Sequence, residues 1–335
     1  MGLSSLPRAF LHRMLRLDDG RKNRSSCSLF PHMRQITKKA IGKALGSRWG
    51  TMALGRWRKQ RGVALGYHNV IPDAERVTGE PSIHIKQSEF EWQVDLVERH
   101  CDVVPLSNLV ASIRHTERPQ RLRASFTFDD AYRGAIRFAI PFLLSKGYPS
   151  TVFVATEMMG GRSFWWDDLP ISGWEGGREP LYDLQGYDQA VRRWAENSGL
   201  TAREQGLNQV SSTWDELEDL VRASRGMVTV GLHTVRHPNL ATLTSRQIRE
   251  ELRVCRNTIT TRGLPLANVL AFPYGLVNSQ VALVARSLGI EAGFKIGGGV
   301  LPEDPSGKQD LPRAVIPSGL SRDNFLLRIF GVIPG

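Results

Sequence analysis

Asp129 and Asp130 put two carboxylates side by side, and His233 and His237 put two imidazoles four residues apart. Adjacent carboxylates repel one another and are costly beside a core unless a cation lies close. One of such a pair can bind a metal ion while the other faces substrate and takes a proton from water. The pair would equally suit a helix N-terminus, where the dipole favours Asp, and both roles fit a helix beginning near Ala131. On a turn of helix, His233 and His237 would project from one side and could share an ion, although many such pairs are only solvated helix faces. A carboxylate from another strand end would complete a three-ligand site with open positions, the arrangement of a catalytic metal centre.

These clusters fall just behind strand-like runs. Ser125–Phe128 precedes Asp129, Val228–Leu232 precedes His233, and Leu270–Phe272 precedes a third cluster, Pro273-Tyr274-Gly275. In parallel α/β folds the strand C-termini build the active face. The surrounding rhythm agrees. Strand-like runs near Val63–His68, Asp102–Val104, Ala124–Phe128, Thr151–Ala155, Met227–Leu232, Val269–Phe272 and Val315–Ile316 alternate with helical stretches. The helices are expected from a Ser88 cap with Glu91 in a capping box, and over Ser107–Ile113, Ala131–Lys146, Trp214–Ala223, Ser245–Thr261 and Ser279–Leu288. Repeated strand-then-helix units predict an α/β barrel or doubly wound sheet. Residues 156–213, rich in Trp and Gly, interrupt the rhythm as an insertion or lid.

The ordered set Thr127-Phe128-Asp129-Asp130, His233-Thr234-x-x-His237 and Phe272-Pro273-Tyr274-Gly275 resembles the polysaccharide deacetylases, carbohydrate esterase family 4, which include nodulation protein B. Tyr67-His68, Phe164-Trp165-Trp166-Asp167 and Thr213-Trp214-x-x-Leu217 extend the likeness over about residues 61–320. The resemblance implies a distorted, incomplete (β/α) barrel of about seven parallel strands, and removal of N-acetyl groups from an amino-sugar glycan of chitin-oligomer, peptidoglycan or exopolysaccharide type. It implies Asp129 as general base. Asp130, His233 and His237 would hold one divalent metal ion, zinc by preference, with cobalt, nickel or manganese as substitutes. The backbone N–H of Tyr274 would receive the oxyanion, with Pro273 and Trp166 beside the substrate, while Thr127, Pro273 and Trp214 shape and pack the site.

Two departures stand out. The family often carries an Arg two residues before the motif's proline to orient the base, and here that position is Ala271; Arg313 is the replacement candidate. The family's C-terminal Leu-x-His acid is missing, since no histidine follows His237, and His68 is either its substitute or a structural residue. Two rivals follow. One is a glycan-binding relative that lost turnover. The other is a hydrolase of a different amide, such as a cyclic ureide, with a small closed pocket instead of an open groove. Trp165-Trp166 would serve sugar stacking or core packing equally well.

Charge and composition narrow the rest. Residues 1–60 hold 14 Lys/Arg and 2 Asp/Glu, a net +12, whereas residues 61–335 carry a net −1. The balanced body gives no sign of a nucleic-acid partner. The arm reads as a disordered basic extension, a start codon called too far upstream (with Met33 or Met52 the true start), or amphipathic segments touching anionic lipid. No apolar stretch is long enough to span a bilayer and no secretory signal is readable, so a cytoplasmic location is expected, or an exported or peripheral one if the start is wrong. Cys27, Cys101 and Cys255 form no metal or disulfide pattern. The oligomeric state has no sequence signal.

Overall fold

Alternation along seven strands sorts their side chains into two cores. The strands of the ring are β1 (Gly62–Tyr67), β5 (Leu122–Phe128), β6 (Ser150–Val154), β7 (Val228–Leu232), β8 (Leu266–Ala271), β9 (Ala292–Gly298) and β10 (Leu311–Val315). Val63, Leu65 and Tyr67 of β1 belong to an outer core with Phe126, Phe128, Val152 and Leu232, under the helices. Ala64 joins Phe153, Val269, Ala271, Ala292, Phe294 and Leu311 in a separate inner core around the barrel axis. Side chains of successive strand residues point to opposite faces, so the two clusters are what a closed parallel sheet requires.

The computed structural model describes residues 62–113, 119–170, 179–301 and 309–333. The basic arm read over residues 1–60 lies outside the described residues. Every pairing in the ring is parallel, in the order β1-β10-β9-β8-β7-β6-β5, and β5 pairs back onto β1 from Gly62↔Arg123 to Tyr67↔Phe128. The barrel is therefore closed with seven strands, one short of the usual eight. Its distortion is local: β10 meets β1 over Leu65↔Ala314 and Gly66↔Val315, and the β9–β10 register slips at Arg313. Two short strands, β2 (Asn69–Ile71) and β3 (His84–Lys86), pair beside the ring, and β4 (Cys101–Val103) pairs with the start of β5.

The helices are α1 (Gln87–His100), α2 (Leu106–Ser112), α3 (Ile140–Ser145, led by a π turn at Ala135–Ala139), α4 (Trp165–Asp168), α5 (Asp188–Asn197), α6 (Trp214–Ala223), α7 (Ser245–Thr261), α8 (Ser279–Ser287) and α9 (Arg322–Ile329). Thr213 with Glu216 and Thr244 with Gln247 form capping boxes that fix where α6 and α7 begin. The capping box expected at Ser88 and Glu91 is absent. Lys86 is the N-cap of α1 without a side-chain bond, and Ser88 Oγ instead donates to Asp73 at 2.7 Å. Leu106, Leu109 and Val110 of α2 pack on the inner core. Among the described residues no helix is long and apolar enough to cross a membrane.

Between β6 and α6 the chain makes its long excursion through α4 and α5. The excursion is tied back to the strand-end loops. Asn239 donates its backbone N–H to Gln185 O (2.8 Å) and its side-chain amide to Leu181 O (2.9 Å). Tyr274 Oη donates to Gly186 O at 2.9 Å while accepting from Trp165 Nε1 at 3.1 Å.

Candidate active site

Asp129 stands one residue past β5, and its backbone N–H continues the ladder by donating to Tyr67 O at 2.9 Å. The β1–β5 closure thus sets Asp129 beside His68, the residue after β1. The next two residues turn abruptly: Asp130 (φ 66°) and Ala131 (φ 48°) both adopt the left-handed conformation. That turn explains how adjacent carboxylates reach different surroundings. The helix expected near Ala131 begins at Arg133 and runs through the π turn into α3, so the carboxylate pair lies just ahead of its first turn.

Parity selects what points into the barrel mouth. Ser125, Thr127 and Asp129 share one face of β5, as Leu311 and Arg313 share one face of β10. Arg313 is 1% exposed. Its Nη1 donates to Asp129 Oδ1 at 2.6 Å and its Nη2 to Asp129 Oδ2, a two-pronged pair, and Nη1 also reaches Thr127 Oγ1 at 3.3 Å. Gly66 gives the guanidinium room, since a Cβ there would lie 2.9 Å from Arg313 Nε. Burial would push the Asp129 carboxyl up, but Arg313, with His233 and His68, holds it down at about 2. His68 Nε2 lies 4.0 Å from Asp129 Oδ2, and burial lowers its pKa to about 4 against the pull of Asp129.

The histidine pair is not helical. Residues 233–237 form a loop in which Thr234 (φ 71°) and His237 (φ 56°) are left-handed, correcting the expected helical turn. His237 N–H donates to Thr234 Oγ1 at 3.0 Å. His233 Nδ1 lies 2.8 Å from Ala271 O, and because a carbonyl only accepts, Nδ1 carries the proton and Nε2 presents a lone pair. The His233 and His237 Nε2 atoms are 3.1 Å apart, and Asp130 Oδ1 lies 3.5 and 3.4 Å from them.

These three atoms fit a metal ion. Ligand atoms about 2.1 Å from a tetrahedral ion are separated by about 3.4 Å, as these are. Asp130 Oδ1 is buried and receives no hydrogen bond. Without a cation, burial, then Asp129 and Asp167, drives the Asp130 carboxyl well above the carboxylate range. Burial likewise pulls His237 well below the ordinary histidine value, with His233 adding to it. Three buried donor atoms converging with unmet polarity are what a divalent ion would satisfy. Among the described residues, Asp130, His233 and His237 are the only group so arranged.

Aromatic side chains wall the triad. The ring centroid of His237 lies 4.6 Å from that of Tyr274 and 4.8 Å from that of Trp166. Trp166 stacks on Phe164 (4.8 Å), meets Trp165 edge-on, and donates Nε1–H to Tyr132 Oη at 3.0 Å. Trp165 and Trp166 are both buried, so they pack the site and form no open stacking platform. Pro273 is buried, and Tyr274 is again left-handed (φ 58°). Trp214 opens α6 and lies under Arg262, away from the triad's ring contacts.

Behind this wall runs a buried chain that sequence reasoning missed. Tyr132 Oη donates to Asp167 Oδ2 (2.6 Å), and Asp167 Oδ1 lies 3.0 Å from His84 Nε2. His84 Nδ1 in turn faces Asn69 Nδ2 at 2.9 Å. An amide nitrogen only donates, so His84 accepts at Nδ1 and donates Nε2–H to Asp167. With both nitrogens engaged, His84 is a structural anchor. No short-range sequence spacing announces the chain, because its members come from four separate segments.

The sequence profile of the polysaccharide deacetylases matches residues 117–293, more than half of the chain. The chain belongs to the polysaccharide deacetylase family. These are hydrolases of the carbon–nitrogen bonds of N-acetylated sugars. The matched span contains the carboxylate pair, both histidines and Pro273-Tyr274-Gly275, but ends before Arg313 and begins after His68. Among solved structures, the Streptococcus pyogenes deacetylase PplD in complex with acetate is 15% identical, with a TM-score of 0.57 over 80% of this chain and 97% of that one. IcaB from Ammonifex degensii is 20% identical, with a TM-score of 0.54 over 80% and 95%. The BpsB deacetylase domain from Bordetella bronchiseptica is 16% identical, with a TM-score of 0.51 over 78% and 97%. At these identities the likeness is one of fold. No curated protein sequence matches the chain.

Proposed function

We propose that this polysaccharide deacetylase homologue removes N-acetyl groups from an amino-sugar glycan in a metal-dependent reaction, with Asp130, His233 and His237 holding a divalent ion, zinc by preference. The convergence of those three donor atoms beside an arginine-held Asp129 carries the reading. When bound, the ion would polarise the acyl carbonyl and acidify the attacking water. Asp129 takes the proton of that water, oriented by the two prongs of Arg313. The Tyr274 N–H serves the oxyanion. His68, neutral at pH 7 with a pKa of about 4, starts without the proton the leaving amine needs. Its Nε2 lies 4.0 Å from Asp129 Oδ2, so the proton taken from water is the one His68 passes on.

The test is acetate release from chitin oligomers and acetylated polysaccharides by zinc- or cobalt-loaded protein, with and without chelator. Glycan binding without any acetate release would leave a binding protein in place of the enzyme. The depth of the reacting groups, with Asp129 at 2% and His237 at 4% exposure, favours a second substrate class, a smaller amide. Cyclic ureides in the same assay distinguish it.

A further inference from the structure

The loop that carries both histidines is held from behind by a carboxylate outside the family's motifs. Glu251 lies in the middle of α7, on its buried stripe with Ile248, Leu252 and Cys255, and is 1% exposed. Its Oε2 accepts the backbone N–H of Val235 at 2.8 Å and of Arg236 at 3.1 Å. Its Oε1 accepts Arg236 Nε at 2.9 Å and Nη2 at 2.7 Å. All four donors belong to the two residues enclosed by Thr234 and His237, the two left-handed positions of the loop.

Left-handed Thr is uncommon and persists only where the surroundings over-determine it. Thr156 and Glu157 bind the loop's carbonyls, donating to Thr234 O (3.1 Å) and Val235 O (2.8 Å), but only Glu251 gathers its central N–H groups. The guanidinium of Arg236 lies against the buried carboxylate, whose bonds run to the back of the loop and to none of the three candidate ligand atoms. We infer that Glu251 is a positioning residue that holds residues 233–237 in the conformation that brings the His233 and His237 Nε2 atoms together. This rests on the reading of the triad as a metal site.

Co2+ titration of the full chain tests it, followed by the visible bands of the ion, with far-UV circular dichroism and melting of the metal-free protein in parallel. Groups that orient metal ligands typically contribute ten- to a hundredfold in metal affinity. Glu251→Ala is expected to weaken Co2+ binding by about that factor. Glu251→Gln, which keeps one oxygen for the two backbone donors, should fall between it and wild type, and the Co2+ bands of both should change in intensity. Arg236→Ala removes only the half-exposed side-chain prong. It guards against a Glu251 variant that does not fold, and is expected to lose several-fold in affinity with little change in melting. Wild-type Co2+ affinity and bands in the folded variants would overturn the role of Glu251 alone. Failure of the wild-type chain itself to bind Co2+ would overturn the metal reading, and this inference with it.

Discussion

Replacing Arg313 with Ala isolates the electrostatics of Asp129, the proposed base. Asp129 sits at about 2 against an ordinary 3.8, which at 1.36 kcal/mol per unit corresponds to ~2.5 kcal/mol favouring its charged form. That figure is a net one, because burial pulls the other way and Arg313 overcomes it. Truncation should therefore remove more, in the range of about 3–5 kcal/mol found when one partner of a buried ion pair is deleted. The sign is fixed by linkage. A lowered carboxylate pKa contributes stability that is full above ~3.8 and is lost as pH falls through ~2. In Arg313→Ala burial dominates, the Asp129 pKa rises, and the acid limb of acetate release moves up into the range between ~pH 4 and 7. Urea unfolding at pH 7 reads the first quantity and the pH dependence of kcat/KM the second. Arg313→Lys, a point charge without the fork, should fall between them. A stability loss below ~1 kcal/mol together with an unmoved acid limb would refute the assignment of Arg313 as the partner of the base.

Other expectations follow from the same geometry. Asp129→Asn should abolish acetate release while Co2+ binding is retained, whereas Asp130→Ala or His237→Ala should lose the ion, as equilibrium dialysis would show. His68→Ala should lower turnover of amides far more than of activated esters, whose leaving groups need no proton; equal losses would remove His68 from the acid role. His68 also shapes acid stability, because its folded-state pKa of about 4 lies below the ordinary 6.5. The metal-free protein should lose up to ~3 kcal/mol from this group as pH falls from 6.5 towards 4, and His68→Asn should flatten that slope in pH-dependent unfolding.

Much of the site was legible because strand ends and residue types coincide. Asp129, His233 and Tyr274 each follow a short apolar run, and Arg313 emerged as the cation left to replace the one missing at Ala271. What failed were inferences from spacing alone. Four residues separate His233 from His237 in a helix and also in a loop bent by two left-handed residues, and nothing in the identity of Thr234 announces that bend. Gly293, Gly297 and Gly298 break the apolar pattern of β9, and β10 starts at Leu311, four residues ahead of the legible Val315–Ile316. Glu251 did leave a trace, an acidic residue on the apolar stripe of α7, but its partners lie 15 and 16 residues away in a loop. The hydrogen bonds by which Tyr132 joins Trp166 to Asp167 depend on tertiary contact alone.

Closure of the barrel accounts for how the two proposed replacements, Arg313 and His68, come to lie beside Asp129. The ring order places β10, β1 and β5 side by side, so Arg313, His68 and Asp129 stand on or one residue past three consecutive strands, although the first two are 245 positions apart in sequence. His233 follows β7 and its Ala271 anchor ends β8, further round the ring. The proposed base, the arginine that holds it and the proposed acid therefore share the closure seam, while the histidines reach the shared point from beyond it. Arg313 on β10 is placed to serve as the proposed replacement for the arginine missing at Ala271 of β8, because both strands send alternate residues into the same inner core, where Phe153 lies against the guanidinium and in the cluster containing Ala271. The chemistry depends on which atoms meet at the barrel mouth, and a closed ring offers more than one strand from which to deliver each of them.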